Sequence, residues 1–214
     1  MSLFQSLVLR DLRLALGGGA WLPLAFFLLV AILFPFGVGP DGALLARTGG
    51  GVIWIAALLA ALLPVDRLVA PDAESGVLDQ LAVRGVSEEL IALAKWVAHW
   101  LSFGPLLMLA AIPAAALLRL EGATLIKLEL GLAIATPALA ALGIMAASLT
   151  LDLRRAGALA GLLMLPLAIP LLIFGAASLA PVPGNALMLL GAVSLFLCAI
   201  TPFAAGAAIR AGRS

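Results

Sequence analysis

The sequence predicts an all-α, polytopic membrane protein, and three observations predict that fold class. Hydrophobic residues make up 64% of the 214 residues and charged residues 11%, with a mean hydropathy of +1.24; a soluble domain of that composition would precipitate. The apolar residues gather into six stretches, each near the ~20 residues that cross roughly 30 Å of hydrocarbon as a helix. Eight of the charged residues (12 basic and 11 acidic in all) fall together between Asp66 and Glu89. Burying eight charges at a bilayer centre would cost about 20 kcal/mol on insertion scales, so this stretch lies outside the hydrocarbon.

The first element, residues 1–18, predicts an amphipathic interfacial helix. Ser2, Ser6, Arg10 and Arg13 share one helical stripe, while Phe4, Leu7, Val8, Leu12 and Ala15 gather on the other, a pattern suited to the headgroup region. The apolar run that follows continues to Val38 without a small-x-small cleavage site, so the segment is expected to be retained rather than removed as a signal. Gly17, Gly18 and Gly19 turn the chain into the first span.

Six spans are expected, from Trp21 to Val38, Gly50 to Leu68, Leu90 to Leu118, Thr124 to Leu151, Gly157 to Ala180, and Asn185 to Ile209. All belong to a single transmembrane domain, 1–214. Between the second and third spans, residues 70–86 predict one amphipathic helix, with Val77, Leu78, Leu81 and Ala82 at helical spacing among charges. Arg84 and Gly85 suit the close of that helix, and Ser87 followed by Glu88 and Glu89 suits the N-terminus of the next.

Orientation follows from where the basic residues fall. With the amino terminus inside, nine lie on the inner face (Arg10, Arg13, Arg67, Arg84, Lys95, Arg154, Arg155, Arg210 and Arg213) and three outside (Arg47, Arg119 and Lys127). That asymmetry predicts both termini, and the charged segment, on the cytoplasmic side of the membrane. Trp21, Trp96 and Trp100 fall near predicted inner boundaries, as an aromatic belt would.

The inventory of reactive groups excludes much. One cysteine, Cys198, rules out an internal disulfide and a CxxC pair, and one histidine, His99, rules out HExxH zinc sites and paired-histidine haem sites within one chain. No metal site is expected and no catalytic residue is assigned, although Ser102, three residues after His99, leaves a Ser-His dyad formally open. No G-x-x-x-x-G-K-[ST] loop occurs, so any ATP-derived energy must come from another subunit. Nothing supports nucleic-acid binding.

Lys95 and His99 share a helix face and form the one candidate ligand or pathway contact. Against that, Lys95 could reach the headgroups and His99 could hydrogen-bond within the bundle. Pro105, Pro113, Pro137, Pro166, Pro170 and Pro202 predict kinked spans, and Gly157 with Gly161 forms a GxxxG spacing. Glu129 and Asp152 are expected at opposite interfaces.

An entry helix, six spans, a cytoplasmic helix between spans two and three and no ATPase of its own resemble the membrane subunit of an ABC-2-type transporter. The resemblance sharpens at GVIWIAALL (51–59), GVLDQL (76–81), LAKWVAHW (93–100) and LPLAIPLLIF (165–174), which are similar to signature stretches of the haem exporter protein B (CcmB) family of cytochrome c maturation. Arg47 in LLAR, Thr136-Pro137 and Leu153-Arg154-Arg155 fit the same family. The chain departs from the family pattern at Ala135 and Ala156, where the family has glycine, and in its charged Val83 to Leu90 stretch.

The resemblance implies an inner-membrane permease subunit for haem export and haem-chaperone loading, driven by a CcmA-like ATPase that binds the ATP. It further implies CcmC-like and CcmD-like membrane partners, two copies of this chain per complex, and haem as a transient substrate rather than a permanent cofactor. The ATPase-coupling interface is expected at Asp72, Glu74, Gly76, Val77, Leu78, Asp79, Gln80 and Leu81. Two other functions stay open: a mechanical subunit that releases the loaded chaperone, and an intramembrane enzyme.

Overall fold

The computed structural model describes residues 2–19, 21–151, 156–182 and 184–213, with the side chains of 156–160 outside that description. Asp152, Arg154 and Arg155 therefore lie outside the described residues. Every described element is helical: α1 Leu3–Gly18, α2 Trp21–Val38, α3 Gly42–Leu62, α4 Ala70–Glu74, α5 Val77–Val83, α6 Glu88–Leu117, α7 Gly122–Leu149, α8 Ala156–Ala177 and α9 Ala186–Ala211, with one 3-10 turn at Val65–Arg67. Helix is the expected solution, since in hydrocarbon each backbone N–H and C=O must be satisfied within its own segment. Five of them, α2, α3, α6, α7 and α9, are long and apolar enough to cross a membrane, and the described side chains of α8 form a shorter apolar run, Gly161–Ala177.

α7 is the central helix. It packs against α6, α8 and α9 and more lightly against α3. Its buried residues are mostly small, among them Ala135, Ala138, Ala140, Ala141, Gly143, Ala146 and Ala147. Lipid tails are as apolar as leucine, so helices associate here by close backbone approach and van der Waals contact rather than by a hydrophobic drive. At the other extreme α2 buries only Pro23, Phe27 and Ala31, leaving Leu29, Ile32, Leu33 and Phe36 exposed on its outer face.

Two expectations about boundaries are corrected. The second span starts at Gly42 rather than Gly50, because Asp41 caps it by accepting hydrogen bonds from the amides of Ala43 and Leu44 at 2.9 and 3.1 Å. Arg47 consequently sits exposed in the second turn of α3, not in a loop. The charged segment is two short helices instead of one. Gly76 divides them at φ +71, a left-handed backbone that a side chain would strain, and it serves as N-cap of α5.

Other local signals are met. Ser2 and Gln5 form a capping box on α1, the Ser87 hydroxyl accepts from the Leu90 amide on α6, and Gly85 at φ +77 closes α5 while the Val86 amide donates to the Leu81 carbonyl. The expected interfacial helix α1 is present, but its Phe4, Leu7 and Val8 pack on the protein core and the helix runs along α6. The apolar stripe that was expected to face lipid is therefore used in part against the bundle.

Trp54 keys α3 into the bundle. It is 2% exposed, and methyl groups added at Gly131 of α7 or Gly175 of α8 would approach its ring to 2.9 and 2.5 Å. Both glycines are thus required by the indole rather than by backbone conformation. Gly175→Ala is expected to cost about 1–3 kcal/mol by overpacking. Adding Trp54→Phe, which removes the nearest ring atoms, should return part of the loss in thermal unfolding of the detergent-solubilised protein.

Candidate functional site

The two chain ends and α4–α5 meet at one end of the bundle, held there by two groups of ion pairs. The first is compact. Lys95, from the second turn of α6, is 6% exposed and lies 2.5 Å from Asp72 of α4 and 3.5 Å from Asp11 of α1. Arg10 completes the cluster, 2.6 Å from Asp11 and hydrogen-bonded to the same Asp72 oxygen that Lys95 uses. Burial alone would lower the Arg10 pKa, but Asp11 and Asp72 outweigh it and hold the guanidinium above its ordinary value. Two cations and two carboxylates neutralise one another where little water reaches.

The second group is more open. Arg210 of α9 reaches Glu88 and Glu89 at the start of α6, at 3.2 and 2.6 Å. Arg213 bridges Asp79 of α5 and Glu88 at 2.7 and 3.0 Å. Arg210 is 59% exposed, so each of its bridges contributes little alone. Their geometric effect is plain: the carboxyl end of α9 is tied to α5 and to the start of α6.

The segment between these ties is amphipathic. Leu78 and Leu81 of α5 are buried against the core, while Glu74, Asp79, Gln80, Val83 and Arg84 are exposed and Val77 is half-buried. Of the eight residues expected at the coupling interface, the structure thus turns Leu78 and Leu81 inward and ties Asp72 to Lys95 and Arg10. Gly76 supplies the break, leaving Glu74, Val77, Asp79 and Gln80 on the outer side. Val83 and Arg84 join that side although the sequence reading did not include them; an exposed valine on a short amphipathic helix was the available signal.

Lys95 and His99 line a cavity of about 300 Å³, open on one side and bordered by α1, the start of α2, the 3-10 turn, α4 and α6. Lys95 is paired within the protein instead of reaching toward headgroups. His99 is 5% exposed and stacks on Phe103 with ring centroids 5.7 Å apart, and its Nε2 has no hydrogen-bond partner. His99 was expected to hydrogen-bond within the bundle, but its Cδ2–Nε2 edge lies against Gly143 of α7 and Nε2 finds no polar partner there. The Ser102 hydroxyl donates to the His99 carbonyl at 2.8 Å rather than to the imidazole, which is not the arrangement of a Ser-His dyad.

The expected aromatic belt is also revised. Trp21 is exposed, as an interfacial residue would be. Trp96 and Trp100 instead turn their indole N–H groups inward, donating to the Pro137 carbonyl at 2.8 Å and to Thr136 Oγ1 at 3.3 Å. Ser194 of α9 donates to the Ile134 carbonyl one turn away. Pro137 lacks an amide hydrogen and loosens α7 locally, and these three side chains brace that region from two neighbouring helices. Glu129, expected at an interface, is half-buried with one oxygen fully enclosed and unpartnered.

Fold and site define an all-α polytopic membrane protein whose paired short helices are presented beside both chain ends. The chain matches the family described as CcmB protein over residues 2–212 and belongs to that family. It is 46% identical to heme exporter protein B of Rhodobacter capsulatus over 216 residues, covering 96% of this chain and 98% of the relative. The proteins of the same name from Bradyrhizobium diazoefficiens and Haemophilus influenzae are 44% and 43% identical, each covered over at least 97% of both chains.

The buried cluster makes a testable energetic claim. Lys95→Met leaves Asp11 and Asp72 sharing Arg10 alone, and breaking such a buried network should cost about 3 kcal/mol. Asp72→Asn in the Lys95→Met background should recover much of that loss, since it removes the uncompensated charge. A double-mutant cycle on unfolding in detergent reads the coupling.

Proposed function

We propose that the chain is the membrane subunit of an ABC-type exporter in the bacterial inner membrane, with six spans including α8 and both termini cytoplasmic. A separate CcmA-like subunit binds and hydrolyses ATP, and its motion enters this chain through α4–α5. Two copies of the chain would work with CcmC-like and CcmD-like membrane partners. Haem is the cargo in this reading, a transient substrate on the way to its chaperone. The names of the relatives support membership of a haem-export system, and nine-to-three basic asymmetry supports the orientation.

The observation that carries the coupling reading is the two-faced α5. Its inner face, Leu78 and Leu81, is locked into the bundle, while Asp79, Gln80, Val83 and Arg84 face outward at the end that holds both termini. A partner pressing on the outer face would move Asp72 and Asp79, and each is ion-paired to a different long helix. That linkage favours a mechanical role over direct haem contact for Lys95, whose ammonium is already held by Asp72 and Asp11.

The test separates docking from folding. In cells co-expressing the P-loop ATPase subunit, Val83→Glu combined with Arg84→Glu should abolish co-purification of the ATPase while leaving the melting temperature of this chain unchanged. Leu78→Asp should instead lower the melting temperature, because it places a charge in the core. Retention of the ATPase by the Val83→Glu, Arg84→Glu chain would overturn the docking reading.

A further inference from the structure

The cavity between α1 and α6 is only partly explained by the coupling scheme. Its wall is divided. Leu14, Leu22, Leu63 and Phe103 make one part apolar, while Arg67 and Lys95 bring cations to the other. The cavity's size, about 300 Å³, is at the lower end of small-ligand sites.

The hydrogen-bond inventory of the polar part is unbalanced toward donors. Asp11 and Asp72, the two carboxylates on the wall, are both engaged by Arg10 and Lys95. Lys95 is held by both carboxylates, whereas Arg67, an exposed side chain on the wall, makes a single hydrogen bond, from Nη1 to the Gly18 carbonyl at 3.0 Å, and its remaining donors have no partner among the described residues. Unused donors beside engaged carboxylates call for an anionic guest.

The rim indicates what kind of anion. Trp21, Leu14, Leu16 and Leu22, around the α1–α2 turn, are 67%, 62%, 48% and 50% exposed, a tryptophan and three leucines set where an interfacial residue and acyl chains would meet. We propose that this cavity binds the phosphoglycerol head of an anionic phospholipid, its phosphodiester drawn by Arg67 and its upper acyl chain leaving past Leu14 and Leu22. A zwitterionic lipid would bring a choline into a site that already has its cations, and a soluble anion would leave the apolar wall wet.

The full-length protein, purified in a delipidating detergent, is titrated with phosphatidylglycerol or phosphatidylcholine and read by native mass spectrometry. Phosphatidylglycerol should be retained about tenfold more than phosphatidylcholine, and Arg67→Gln should remove that preference, as expected for loss of a charge-assisted hydrogen bond. Ala15→Trp, which fills the cavity and leaves Arg67 in place, should lower retention similarly; Arg13→Gln, an exposed cation off the cavity wall, should not. Should Ala15→Trp lower the melting temperature, Arg67→Gln alone decides. Equal retention of the two lipids, an unchanged Arg67→Gln chain, or displacement of phosphatidylglycerol by inorganic phosphate or by haem would overturn the proposal.

Discussion

A lysine ammonium with 6% exposure in the second turn of a long apolar helix is the constraint on which the end of the bundle that carries the short helices depends. Such a charge is tolerated only with counter-charges at hand. Lys95 obtains them from two different elements, Asp72 on α4 and Asp11 on α1. The short helices cannot drift from the bundle, nor α1 from α6, without exposing an unpaired ion in a poorly hydrated place. Arg10 makes the arrangement neutral, so its net strength comes from completeness rather than from any one bridge.

The same logic of satisfied polar groups governs the membrane interior. Pro137 breaks the amide ladder of α7 in the middle of the most buried helix, and the protein answers with Trp96, Trp100 and Ser194 donating around it. Those contacts pin α6 and α9 to α7 at the depth where the helix is weakest. A few groups are left without partners, among them Trp54 Nε1, His99 Nε2 and Glu129 Oε1. Of these, His99 lines the cavity, and the Trp54 indole is fixed instead by glycines on two helices.

Much of this was legible in the sequence where the cause is local. Ser87 with Glu88 and Glu89, and Arg84 with Gly85, announce a helix start and a helix end through groups within one turn, and both are found. Asp41, just before Gly42, is an equally local signal for the start of α3, although the span was expected to begin at Gly50. The division of the charged segment at Gly76 depends on a single left-handed residue, which composition alone does not reveal. Hardest to read were the long-range partners. Lys95 and Asp72 are 23 residues apart, and Asp11 stood outside both stripes assigned to α1. A buried lysine demands a carboxylate, but periodicity does not say which one the fold will deliver.

Under the proposed coupling scheme, the inward turn of Leu78 and Leu81 alters where force would enter. Were those leucines the docking surface, a partner would have to extract them from the core, and the cost of exposing two buried leucines, several kcal/mol, would oppose every engagement. With the leucines anchored, α5 moves only as part of the bundle end. A push on its outer face is resolved along two routes: through Asp72 to Lys95 and α1, and through Asp79 to Arg213 and α9. The first route runs through a buried lysine, whereas the second begins at an exposed aspartate. Displacement is then expected to swing α9 relative to an α1–α6 pair that stays together, and α9 is the helix that packs most extensively on α7. A short surface helix anchored by two leucines can in this way act on the central helix through the ion pairs of its outer face.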